Sequence, residues 1–82
     1  MRLYSYYDKK GETFSQPFVQ FTDGIAIRNF TEAVANKESV FSKFPDDFEL
    51  YYLGDIDEST GHFSLPDDKV YPQLIVRANQ LS

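Results

Sequence analysis

The chain has no cysteine and no tryptophan, and only one histidine and one methionine in its 82 residues. Without cysteine there is no disulfide, no thiol nucleophile and no cysteine-built zinc site, and folding is indifferent to the redox compartment. The single histidine, His62, has no serine or cysteine motif around it that would complete a nucleophile and base. The four glycines are scattered, so no glycine-rich loop is available to cradle a phosphate. No apolar run approaches the ~20 residues of a membrane span, and the opening MRLYSYYDKK lacks the apolar stretch of a signal peptide. These absences lead us to expect a soluble, intracellular, non-enzymatic protein that needs no cofactor and has no membrane contact.

What is present is aromatic and acidic. Eight phenylalanines and six tyrosines are more than one small core readily holds, and 82 residues bury only about 60% or slightly more of the unfolded chain's surface. The net charge of −5 argues against broad affinity for nucleic acid, which comes mainly from neutralising phosphates. The charge is unevenly spread: residues 1–45 carry a net +1 and residues 46–82 a net −6.

One stretch carries a long helical signal. Ala26, Ile27, Phe30, Ala33 and Val34 recur at spacings of three and four, which places them on one stripe of a helix over 22–37. Thr22 or Asp23 can cap its start, and Asn36 can end it in a left-handed turn. The flanking segments read as strands. RLYSYY puts Leu3, Ser5 and Tyr7 on one face and Arg2, Tyr4 and Tyr6 on the other. DKKGE is a turn with Gly11 free to take a positive φ, and TFSQPFVQF returns as a strand that Pro17 confines to an edge or a bulge. FELYYLGDI alternates Phe48, Leu50 and Tyr52 against Glu49, Tyr51 and Leu53, and HFSL comes back after the turn DESTGH until Pro66 stops it. We therefore expect one α+β domain over 1–82: a hairpin over 1–21, the helix over 22–37, a hairpin over 48–66, and an irregular segment or short terminal strand over 67–82. The antiparallel sheet would run in ββαββ order with the central helix packed on one face.

The acidic turn from Asp55 to His62 suggests a calcium loop, but its spacing fails. Counting from Asp55, the sixth residue is Thr60 where glycine is required and the twelfth is Pro66 where a bidentate glutamate is required. Asp46 and Asp47 are adjacent, and on an extended segment they point apart. No metal site and no catalytic pair is expected. A binding surface remains. Arg2, Tyr4, Tyr6, Lys9 and Lys10 on the first hairpin, with Arg28 on the helix, mix cations and aromatic rings, a combination that suits single-stranded DNA. The competing reading packs Tyr4 and Tyr6 under the helix or across a dimer interface. The sheet face away from the helix keeps aromatics that nothing in the chain covers, so a homodimer or larger homo-oligomer is expected.

The segments MRLYSYYDKKGETFSQPF, TDGIAIRNF and FPDDFELYYLGDIDESTGHF resemble the small nonstructural protein of gokushovirus-type microviruses, the small single-stranded-DNA phages. The residues that carry the resemblance are Arg2 with Tyr7 and Asp8, Pro17 and Phe18, Ala26, Arg28 and Phe30, then Pro45, Asp47, Phe48, Leu50, Gly54 and Asp57. The resemblance runs to Phe63 and fades in the tail. It implies a phage protein made in the host bacterial cytoplasm, absent from the virion, and acting as a DNA-binding accessory of viral DNA synthesis. It brings no catalytic residues. An alternative of another class is an interaction or regulatory factor that binds a phage or host replication or packaging protein and not DNA.

Overall fold

The helix forms where its periodicity places it. In the computed structural model, which describes residues 1–65 and 72–82, α1 spans Asp23–Ala35, with the Thr22 hydroxyl accepting from the Ile25 amide at 3.2 Å. That bond satisfies one of the four free amides of the first turn. Ala26, Phe30 and Val34 are buried, and Ile27 packs at the margin of the same core. Asn36 closes the helix differently from expectation. It is extended, at φ −76° and ψ 109°, and its own amide donates back to Ala33 and Glu32.

The strands are β1 (Arg2–Asp8), β2 (Thr13–Phe14), β3 (Phe18–Gln20), β4 (Phe48–Ile56), β5 (Phe63–Ser64) and β6 (Gln73–Arg77). A short helix α2 (Val40–Lys43) and a 3-10 turn at Ala78–Gln80 complete the described elements. The fold is α+β with an antiparallel sheet in which both local hairpin pairings form, β1 with β2 and β3, and β4 with β5, but the sheet is not built from them alone. The long strands β1 and β4 pair with each other in the middle, from Arg2 opposite Asp55 to Asp8 opposite Phe48. β2 and β3 line the outer edge of β1, and β5 and β6 line the outer edge of β4. The expected single strand after the first turn is two pieces because Pro17 has no amide to give a ladder. The expected second hairpin shrinks to two residue pairs, Asp55 with Ser64 and Ile56 with Phe63. The tail supplies β6 instead. Its apolar run pairs Leu50 with Val76 and Tyr51 with Leu74. The proposed stop at Pro66 and the charged turn after it lie outside the described residues.

Two turns also differ. In the first it is Glu12, not Gly11, that takes the left-handed conformation, at φ 55°. Gly54 has φ +151°, and a Cβ there would stand 2.6 Å from the Phe63 ring. It lies where the β1–β4 register slips beside Leu3 and Tyr4. The bulge needs glycine because both the backbone angle and the ring above it exclude a side chain.

The core lies between α1 and one face of the sheet. Tyr4, Leu50 and Tyr52 are fully or almost fully buried there beneath Phe30. Tyr6 meets Phe30 at 4.8 Å between ring centroids, and Phe41 of α2 meets Tyr6 at 4.9 Å and Phe48 at 4.9 Å. No described helix is long and apolar enough to cross a membrane.

Candidate nucleic-acid interface

The alternation of side chains along β1 decides which aromatics are available to a ligand. The residues expected to contact DNA are not brought together. Tyr4 and Tyr6 are on the helix side: Tyr4 is fully buried and Tyr6 is enclosed by Phe18, Phe30 and Phe41. Neither offers an open ring face for a base. Arg2 is engaged inside the protein. Its Nε donates to the Asp23 carboxylate at 2.9 Å and to the Tyr4 hydroxyl at 3.0 Å, and its guanidinium lies 3.9 Å over the Tyr52 ring. Burial works against the Arg2 charge, but these bonds more than offset it and raise its pKa. The same knot holds the Tyr4 hydroxyl, which donates to Asp23 at 2.5 Å. Burial first, then that bond, push the Tyr4 pKa up to about 12, with Arg2 opposing.

Lys9 and Lys10 are exposed in the turn after β1, at the opposite end of the strand from Arg2, about 23 Å away for seven extended residues. Arg28 is exposed on α1, on the far side of the sheet from the face described next. Lys10 lines a pocket with Val40, Phe44 and Phe48 on the α2 side of the sheet, so of the six candidates only Lys9, two residues beyond Tyr7, is left beside the open face.

That face carries a different set. Phe14, Tyr7, Glu49 and Arg77 are directly opposed from β2 through β1 and β4 to β6. They form one transverse row about 14 Å long, at three strand spacings of ~4.8 Å. Tyr51 stands beside the row, with Phe14 at 5.5 Å and Tyr7 at 6.1 Å between ring centroids, and Tyr7 and Phe14 are 4.7 Å apart. Phe14 is 40% exposed; Tyr7 and Tyr51 are half-buried. The three rings form a continuous apolar floor.

The floor is held from below. The Ser5 hydroxyl donates to the Ser15 carbonyl at 2.7 Å, and the Ser15 amide donates to the Tyr6 carbonyl at 2.8 Å, which fixes the segment bearing Phe14. Glu49 accepts from Arg77 Nε at 3.0 Å and from the Tyr51 hydroxyl at 3.3 Å. Burial, then the Glu49 carboxylate, raise the Tyr51 pKa, with Arg77 opposing.

Sequence reasoning had the alternation of β1 but not its orientation, so the tyrosines it offered as contacts, Tyr4 and Tyr6, are the ones packed under the helix. Glu49 was the usable signal: a charge on an otherwise apolar strand marks the face away from the helix. Using it for β1 required knowing that Tyr7 pairs with Glu49, a long-range register that no local pattern reveals.

At the other end of the sheet is a cleft of about 860 Å³ lined by Met1, Phe21, Asp55, Asp57, Glu58 and Phe63, among others. Phe21 is 74% exposed and Phe63 50%. The acidic turn beside it is self-capped. Asp57 Oδ1 accepts from the Ser59 amide at 3.0 Å and the Ser59 hydroxyl at 2.7 Å, and those bonds lower its pKa.

The structure thus defines a small α+β protein whose single sheet is covered by a helix on one side and lined with aromatic rings on the other. The chain belongs to the family described as Phage ORF5 protein, which matches residues 1–81. It is 32% identical over 68 residues to Protein ORF5 of Chlamydia phage 1, covering 77% of this chain and 70% of that one. It is therefore a small protein of the gokushovirus type. No solved structure matches the chain.

Proposed function

We propose that this protein is a non-enzymatic accessory of viral DNA replication that binds single-stranded DNA on the open face of its sheet. The observation that carries the reading is the row of Phe14, Tyr7, Glu49 and Arg77 with Tyr51 beside it. Bases of a single strand stack on aromatic rings at about 1–3 kcal/mol each while nearby cations follow the phosphates. Arg77 at one end of the row and Lys9, two residues beyond Tyr7, supply those cations. A duplex hides its base faces, so the platform favours single strands. The three rings are too close together to stack three separate bases, and the net charge of −5 adds repulsion. One protomer therefore binds weakly, and a homodimer or larger homo-oligomer multiplies the contacts along one strand. The setting is the cytoplasm of the infected bacterium, outside the virion.

The test is fluorescence anisotropy of a labelled 30-nucleotide strand, titrated at low and moderate salt with a duplex of the same sequence beside it. Saturable binding that prefers the single strand, weakens with salt and falls severalfold in Phe14→Ser supports the reading. A flat curve at high protein concentration overturns it. The alternative, a protein partner in replication or packaging, is favoured by the end cleft with its exposed Phe21 and Phe63 and its acids. It predicts co-purification with phage replication or packaging proteins that Phe21→Ser and Phe63→Ser weaken, whether or not DNA binds.

A further inference from the structure

Arg77 is anchored in an uncommon way for a surface arginine. Its Nε is bound to Glu49 Oε2 at 3.0 Å, and its backbone amide donates to the Gln80 side chain at 2.9 Å. Glu49 is itself only 6% exposed. A carboxylate this deeply buried is strongly unfavourable without its partner, so Glu49 cannot easily release Arg77. The arginine side chain is nevertheless 47% exposed, and its two terminal amino groups have no partner among the described residues. What reaches solvent is a planar, permanently charged fork of donors with its stem fixed.

We infer that this fork gives the open face a base preference, for guanine and cytosine over adenine and thymine, with Glu49 as the positioning residue. The inference rests on the single-strand reading above. Two parallel donors need two adjacent acceptors. Guanine offers O6 and N7, the pair that arginine most often reads, and an unpaired cytosine offers O2 and N3 on its exposed Watson–Crick edge. Adenine places an amino donor beside N7. Thymine separates its two carbonyls with the N3 proton. A base lying on Tyr7 or Tyr51 is one or two strand spacings from Arg77, on the same face of the sheet. The rings supply affinity without regard to sequence, and the fork supplies the choice.

The test is the affinity of the wild-type protein for 15-nucleotide oligo-dC, oligo-dT and oligo-dA, and for an alternating dT/dG strand that avoids guanine runs, all at one salt concentration. Oligo-dC and the guanine-containing strand should bind at least about fivefold more tightly than oligo-dT and oligo-dA, the low end of what one bidentate contact discriminates. Arg77→Lys keeps the charge and loses the fork, so it should level the four affinities. Glu49→Gln removes a negative charge, so it should tighten binding to oligo-dT while narrowing the preference. A purely structural role for the pair would not give that split. Circular dichroism of both variants separates these effects from unfolding. Equal wild-type affinity for all four strands overturns the inference and leaves the single-strand reading intact. An equal loss on all four strands in Arg77→Lys also overturns it, because that is the signature of a phosphate contact. No binding to any strand removes both.

Discussion

At the residue scale, the knot of Arg2, Tyr4 and Asp23 ties the start of α1 to the sheet. Both Arg2 and Tyr4 converge on Asp23 Oδ1, at 2.9 and 2.5 Å, and a hydrogen bond to a charged group contributes about 1.5–3 kcal/mol. Tyr4→Phe keeps the ring in the core and deletes only the hydroxyl. It should lower unfolding stability by roughly that amount at neutral pH in a urea titration. The Tyr4 pKa is raised from 10.0 to about 12, so the folded state holds this proton more tightly than the unfolded chain. The stability that follows is complete below about pH 10 and is lost as pH rises from 10 through 12. Tyr6 and Tyr51 are shifted the same way by burial, so the alkaline loss is shared. Tyr4→Phe should make it shallower and remove the latest step from a tyrosinate absorbance titration. An unchanged late step would place that proton on another tyrosine.

At the element scale, α1 begins at one side-chain bond. The Thr22 hydroxyl accepts from the Ile25 amide at 3.2 Å in an exposed position, so Thr22→Ala removes the cap with little change in packing. The expected cost is about 1 kcal/mol, visible as a lower urea midpoint at unchanged slope, and Thr22→Asp should restore most of it. This helix was readable in the sequence to within a residue or two because its determinants are local, a cap and a period of 3.6, even though Asn36 ends it in an extended and not a left-handed conformation. The strands were readable as strands, and Phe48, Leu50 and Tyr52 as one buried face, for the same reason. Their local partners were readable too, since TFSQPFVQF pairs with β1 and HFSL with β4, but the central pairing was not. The pairing of β1 with β4 joins residues 40 to 53 positions apart, and nothing in RLYSYY says that its second edge, beside the one taken by TFSQPFVQF, receives that strand. Pro17 foretold only that the nearer segment would pair in two pieces. β6 was hidden by length, since Leu74, Ile75 and Val76 fit either one helical turn or a strand until a partner edge chooses. Arg77 therefore could not be placed on a face, and the candidate site was missed by one residue along β1 and entirely along β6.

At the scale of the whole molecule, the two faces of one sheet divide the work. The helix side holds the buried rings; on the other side Phe14, Tyr7 and Tyr51 remain partly open. A chain of 82 residues has only a few kcal/mol of net stability to lose. Phe30 is fully buried, and Phe30→Ala should cost about 3–5 kcal/mol, enough to abolish a cooperative urea transition. Tyr7 lies across the same strand from Tyr6, yet among the described residues the aromatic rings it meets are Phe14 and Tyr51. Cross-strand aromatic pairs of that kind contribute roughly 0.2–1 kcal/mol each, so Tyr7→Ser should leave a cooperative, modestly weakened transition. The same variant should lose DNA affinity if the open face is the binding surface. Comparable destabilisation by the two substitutions would mean that the open face is not spare but covered, and a second copy of the chain would be the first occupant to look for by sedimentation. A large loss in Phe30→Ala with a small one in Tyr7→Ser leaves those rings free for a ligand. An exposed aromatic row on a marginally stable protein then needs a cause other than folding.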